Sequence, residues 1–78
     1  MLNGYNDIEI EVVAYSGYKA NVRPLSFVLD GRKIEVKEVV DQWIGPDLDY
    51  FRVIADDGLL YLLKWNRALD RWLIEKKS

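Results

Sequence analysis

The sequence predicts an all-β fold: a five- to six-stranded antiparallel meander curled into a small barrel or sandwich. Three observations lead to this prediction. Several short segments alternate apolar and polar residues, two Asp-Gly dipeptides each lie between such segments, and a chain of 78 residues, 50% of them hydrophobic, suits one small core. We therefore expect a single β-rich domain over residues 1–78.

The first predicted strand spans residues 8–15, where apolar side chains alternate with Glu9 and Glu11 as in a half-buried strand. Gly17 ends this segment. We expect a connection from there to Pro24, because proline fixes φ and lacks the backbone N–H that a strand interior needs.

A first hairpin is predicted about the Asp-Gly dipeptide at 30–31, between the alternating segments 25–29 and 32–40. A turn with an even number of residues gives two apolar cross-strand pairs, Phe27 with Ile34 and Leu25 with Val36. A three-residue turn would instead set Phe27 against Glu35, so we favour the even turn.

Two interruptions are expected after this hairpin. The paired valines at 39–40 break the alternation, which indicates a bulge or a bend. Residues 45–49 combine glycine, proline and two aspartates, so they are expected to form a loop between strands.

The second hairpin is predicted about Asp57-Gly58. Pairing about this dipeptide sets Val53 opposite Leu62, Ile54 opposite Tyr61 and Tyr50 opposite Trp65. One face of the hairpin would then carry Tyr50, Ile54, Tyr61 and Trp65, and the other Phe51, Val53 and Leu62. Because only one face can line the core, the other predicts an exposed apolar patch.

Residues 59–74 fit two interpretations, because their leucines and tryptophan also follow helical spacing. An α+β fold with a C-terminal helix is the alternative to the all-β fold. We favour two strands, since the segment directly follows a hairpin turn and Asn66 and Asp70 can bracket a loop.

Composition predicts a soluble, cytoplasmic protein with no membrane partner. The chain has no cysteine for disulfides, no signal-like start, and no apolar run near the roughly 18 residues that a membrane span needs. Thirteen acidic and eleven basic residues leave a net charge of −2, which argues against binding dominated by phosphate contacts.

Catalysis is not expected, and neither a cofactor nor a metal is predicted. Without histidine or cysteine, the commonest general base, nucleophile and transition-metal ligands are missing. The remaining candidates for acid-base work or cation binding are Asp47, Asp49, Asp56 and Asp57. We interpret them as turn residues, because aspartate side chains accept hydrogen bonds from nearby backbone amides.

The abundant aromatic residues support the favoured hypothesis on function, a non-enzymatic interaction module. Most of them are expected to fill the core. The surplus on the second hairpin predicts a partner-binding face with Tyr50, Tyr61 and Trp65, for a protein partner or a second copy of the chain.

The alternative hypothesis is a nucleic-acid-binding accessory domain linked to DNA metabolism. Basic residues cluster around and before the first hairpin: Lys19, Arg23, Arg32, Lys33 and Lys37. Beside Tyr15 or Tyr18, such cations can bind single strands through charge attraction and base stacking. Glutamates interrupt the cluster, so a solvated strand face is the competing interpretation.

The ordered motifs IEVKEVVDQW (34–43), YFRV (50–53), ADDG (55–58), YL (61–62) and WL (72–73) resemble those of a family of small uncharacterised bacterial cytoplasmic proteins, described as domains of unknown function. The resemblance covers about residues 23–74 and implies a compact β-rich domain. It implies no activity and assigns no residue a role. Some similar domains accompany genes of DNA polymerases resembling the Y family.

Overall fold

Six antiparallel strands form a closed barrel in the computed structural model, which describes residues 5–16 and 22–77. The strands are β1 (Tyr5–Ser16), β2 (Val22–Leu29), β3 (Arg32–Ile44), β4 (Leu48–Ala55), β5 (Leu60–Asn66) and β6 (Arg71–Lys77). Each strand pairs with the next, and β6 pairs with β1 to close the barrel. The all-β meander is therefore confirmed in its barrel form, and the alternative with a C-terminal helix is wrong.

The two longest strands each pair with different neighbours along their length. The first half of β1 pairs with β6 and its second half with β2. Likewise, β3 pairs with β2 over residues 32–35 and with β4 over residues 36–44. Such a change of partner along a strand is typical of small barrels, where tilted strands close the sheet around one core.

The first hairpin has a two-residue turn, which agrees with the predicted even number of residues. Asp30 and Gly31 both have positive φ, 53° and 75°, as a tight turn matched to strand twist requires. Phe27 lies opposite Ile34 as predicted. The predicted pairing of Leu25 with Val36 does not form, because the β2–β3 ladder ends at Ser26 opposite Glu35.

Bulges interrupt β2 and β3. Leu25 is an extra residue between Pro24 and Ser26, which pair with consecutive residues of β1. In β3 the extra residues against β4 are Lys37 and Val40. The bulge predicted at the paired valines is thus confirmed, whereas those at Leu25 and Lys37 were not predicted.

The predicted connection to Pro24 is too long. Pro24 is buried inside β2, which begins two residues earlier at Val22. It directly precedes the bulged residue, a position where a strand tolerates a missing backbone donor.

The second hairpin has a different register from the predicted one. Its turn contains three residues, 56–58, closed by hydrogen bonds from the Gly58 N–H to the Ala55 carbonyl (2.9 Å) and from the Ala55 N–H to the Leu59 carbonyl (3.0 Å). Gly58 has a φ of +82°, which this turn requires at its last residue. Val53 therefore lies opposite Tyr61, and Tyr50 opposite Lys64.

The barrel interior is filled by eight buried apolar side chains: Phe27, Ile34, Phe51, Val53, Ala55, Leu63, Trp72 and Ile74. They come from β2 to β6, while β1 contributes the partly buried Ile10 and Val12. The third hairpin confirms the two-strand interpretation of the C-terminal segment. Its turn begins after Asn66, whose side chain accepts a hydrogen bond from the Leu69 N–H at 3.1 Å. The described residues contain no helix that is long and apolar enough to cross a membrane.

Candidate functional site

The register of the second hairpin separates the three residues predicted to bind a partner. Tyr50 points outward, whereas Tyr61 and Trp65 lie on the inner face with Val53 and pack against the core. The prediction that these three side chains share one exposed face is therefore wrong. A one-residue shift of register exchanges the inner and outer faces of one strand relative to its neighbour.

Each of the two inner aromatic residues has one partner for its ring and another for its polar atom. The Tyr61 ring meets Phe27 edge to face at 5.2 Å between centroids, and Trp65 stacks on Trp72 at 5.8 Å. Their polar atoms donate to turn aspartates, the Tyr61 hydroxyl to Asp57 at 2.8 Å and the indole N–H of Trp65 to Asp70 at 3.0 Å. These contacts position core side chains at the barrel ends.

The hydrogen bond between Tyr61 and Asp57 predicts an unusual tyrosine titration. Burial of the phenol and the Asp57 carboxylate raise the pKa of Tyr61 to about 12. The Leu59 N–H and the Tyr61 hydroxyl, both donating to Asp57, lower the pKa of that carboxyl. Because the folded-state pKa of Tyr61 exceeds its ordinary value of 10, stability from this group is complete below pH 10 and is lost as pH rises to about 12.

We expect tyrosinate absorbance to show a titration step near pH 12 that Tyr61→Phe removes and Asp57→Asn moves to lower pH. Tyr50→Phe is the matched control and should leave this step in place. If the titration step near pH 12 persists in Tyr61→Phe, it does not arise from Tyr61, and the hydrogen bond to Asp57 is not its cause.

The outer aromatic face is formed by Trp43, Tyr50, Arg52, Ile54 and Leu62 on β3, β4 and β5. Trp43 and Tyr50 are cross-strand neighbours whose rings stack at 5.2 Å with an interplanar angle of 8°. The Arg52 guanidinium lies 5.6 Å from the Trp43 ring centroid, and Trp43 is still 39% exposed. Sequence reasoning missed Trp43 and Arg52, although a four-residue loop over 45–48 sets Trp43 opposite Tyr50 and would have revealed the pair.

The basic side chains on and beside this face are paired with carboxylates. Arg52 lies 3.7 Å from the Asp41 carboxylate, its cross-strand neighbour. Further along the same side of the sheet, the Lys64 ammonium contacts Asp7 at 3.0 Å and Glu75 at 3.1 Å. Burial alone would lower the pKa of Lys64, but hydrogen bonds to both carboxylates outweigh it and raise the pKa above its ordinary value. The outer aromatic face is thus nearly neutral.

The basic residues predicted for nucleic acid do not form one patch. Lys19 and Tyr18 lie outside the described residues. Arg32 and Lys33 follow the turn of the first hairpin, where the Lys33 ammonium lies 3.5 Å from the Glu35 carboxylate. Arg23 and Lys37 instead line the opening between β2 and β3.

This opening, the β2–β3 seam, is where the two strands separate beyond Ser26 and Glu35. It contains two adjacent pockets that share Arg23, with volumes of about 360 and 380 Å³. The first is lined by Arg23, Pro24, Leu25, Val36, Lys37, Glu38 and Val39, and the second by Tyr15, Val22, Arg23 and Gln42. Tyr15 lies opposite Arg23 across β1 and β2 and is 56% exposed.

Two of the four aspartates considered for catalysis or cation binding, Asp49 and Asp57, have side-chain hydrogen-bond partners in the structure. Asp57 accepts a hydrogen bond from the Leu59 N–H at 2.9 Å, as expected for a turn aspartate. Asp49 is buried and accepts a hydrogen bond from Arg67. Within residues 5–16 and 22–77, no group of three potential metal ligands occurs. The absence of enzymatic activity stays a prediction.

Comparison with protein-family models, curated proteins and solved structures finds no match to this chain. Its class is therefore defined by architecture: a small closed antiparallel barrel with a neutral aromatic face and a cationic seam. The family resemblance of the sequence stays a prediction.

Proposed function

We propose that this protein is a non-enzymatic interaction module that binds a protein partner through its outer aromatic face. The observation that supports this most directly is the stack of Trp43 on Tyr50 beside the Arg52 guanidinium, on the outside of a barrel whose interior other residues already fill. Tryptophan, tyrosine and arginine are the residue types that contribute most to binding in protein interfaces.

The neutrality of this face favours a protein over a nucleic acid. Arg52 has Asp41 as a counter-ion, and Lys64 has both Asp7 and Glu75. Among the side chains that the structure describes on this face, no unbalanced positive charge is left to bind phosphates, whereas depletion of unpaired charge at the centre is typical of protein interfaces.

The geometry of the rings further supports binding. Trp43 and Tyr50 already restrict one another's rotamers by stacking, so little side-chain entropy remains to be lost when a partner covers them. Half-buried Ile54 and Leu62 extend the apolar surface from the rings across β4 and β5. The proposal places the interaction in the cytoplasm, the location predicted from the sequence.

To test the proposal, a photoreactive benzoylphenylalanine is incorporated at Asp41, beside the face, and separately at Val13 on β1 as a control position. The protein captured from Asp41 in cells is then purified and titrated against the wild type, Trp43→Ala and Val13→Ala. We expect Trp43→Ala to weaken binding about ten-fold or more. Val13, which is 59% exposed and outside the face, should change the affinity little when replaced.

Circular dichroism should show Trp43→Ala to be folded, because the side chain is not part of the core. If sedimentation of the wild type shows self-association that Trp43→Ala abolishes, the partner is a second copy of the chain. Equal capture from both positions, or an unchanged affinity of Trp43→Ala, contradicts the proposal.

A further inference from the structure

The β2–β3 seam has features that packing of the core does not explain. The extra residues of all the bulges in the described ladders, Leu25, Lys37 and Val40, belong to the two strands that flank it. Bulges bend strands and redirect side chains, and they are frequent beside binding sites. Here they accompany the separation of the strands and leave Lys37 without a cross-strand partner on β4.

The cations of the seam are available to a ligand. Five other basic residues in the described chain have carboxylates within 4 Å, namely Lys33, Arg52, Lys64, Arg67 and Arg71. Within the same part of the chain, Arg23, Lys37 and Arg32 form no such ion pair, and of these three Arg23 and Lys37 line the seam whereas Arg32 follows the first hairpin turn. Glu38 also lines the seam and limits its positive charge, so only a few anionic contacts fit there.

Beside these cations are groups suited to a nucleobase. The exposed ring of Tyr15 neighbours Arg23, and the Gln42 side chain in the same pocket offers both a donor and an acceptor. Stacking on an aromatic ring combined with phosphate contacts is how proteins bind single strands without reading their sequence.

We infer that the β2–β3 seam binds short single-stranded nucleic acid, with Tyr15 stacking on a base and Arg23 and Lys37 contacting backbone phosphates. This site is separate from the outer aromatic face and does not depend on its function. The protein as a whole is acidic, so the attraction is local and the binding is weak and strongly salt-dependent.

An acidic peptide fits the seam less well. An extended peptide binds to an open strand edge mainly through regular main-chain hydrogen bonds. On the β2 side of the seam, Pro24 has no N–H to donate, and on the other side the bulges at Lys37 and Val40, which lie in the ladder with β4, bend β3. A nucleic acid needs no such ladder.

The test measures fluorescence anisotropy of labelled hexathymidylate with the full chain over a range of salt concentrations. Two phosphate contacts predict a slope of about −1.4 for log K against log salt. Arg23→Gln and Lys37→Gln should each reduce the slope by about 0.7. Tyr15→Leu should weaken binding about ten-fold without changing the slope.

Lys33→Gln is the matched control, because it removes the same side chain as Lys37→Gln, but Lys33 is paired with Glu35 away from the seam. It should bind as the wild type does, and so should Trp43→Ala, which separates this site from the proposed protein interface. Absence of binding at low salt, an equal loss in Lys33→Gln, or equally strong displacement by a hexa-aspartate peptide would overturn the inference.

Discussion

Leu63→Lys is expected to unfold the protein, whereas Leu62→Lys should leave it folded. Leu63 is fully buried opposite Phe51, so a lysine there would place an unpaired ammonium in the core. The cost is about 4 kcal/mol or more, comparable with the whole stability of a domain this small. Leu62 lies on the outer side opposite Arg52, where a lysine loses some apolar contact and meets a like charge, at a cost of about 1 kcal/mol.

Urea denaturation followed by tryptophan fluorescence measures both variants against the wild type. The pair also tests the register directly, because the sequence-based pairing about Asp57-Gly58 gives the opposite outcome. A folded Leu63→Lys together with an unfolded Leu62→Lys would show that the hairpin has an even turn.

The two Asp-Gly turns show why the first register was predictable and the second was not. In the first hairpin the dipeptide follows apolar Leu29, and both its residues adopt positive φ. In the second, Asp56 precedes the dipeptide, and only Gly58 has positive φ while all three residues form the turn. An additional turn-forming residue before the dipeptide was the available signal. Because the strands carry apolar residues on both faces, either register forms several apolar cross-strand pairs, and pairing alone does not distinguish the two registers.

The bulges mark a second limit of sequence reasoning. The paired valines indicate the bulge at Val40, because they break the alternation of apolar and polar residues. Lys37 and Glu38 also break the alternation, as two consecutive polar residues, but this signal was overlooked. The sequence around Leu25 shows no such signal. The position of that bulge follows from where β2 and β3 stop pairing with each other, and this depends on closure of the whole barrel rather than on neighbouring residues.

The candidate surfaces were predictable only in part for the same reason. Tyr50 was predicted for the partner-binding face, but Trp43 is its neighbour only because a four-residue loop pairs β3 with β4. Among the five predicted basic residues, the seam brings together Arg23 and Lys37. Composition shows how many aromatic and basic residues exist, whereas register decides which of them meet.

Arg67→Ala is expected to destabilise the barrel by about 1–3 kcal/mol, because it leaves a buried carboxylate without its partner. Asp49 is only 8% exposed, and Arg67 donates a hydrogen bond to it from the turn between β5 and β6. Arg71→Ala is the matched control. Arg71 lies 3.8 Å from Glu9, with both side chains more than half exposed, and such surface pairs contribute less than about 1 kcal/mol.

A double-mutant cycle separates the ion pair from other effects of Arg67. If the cost of Arg67→Ala arises from the orphaned Asp49 carboxylate, then adding Asp49→Asn should recover part of the lost stability, since an amide is less costly to bury than a charge. Chemical denaturation of the wild type, the two single variants and the double variant gives the coupling energy. Additive costs, or a cost of Arg67→Ala no larger than that of Arg71→Ala, would mean that water already solvates Asp49 and that the turn needs no ion pair to hold it against β4.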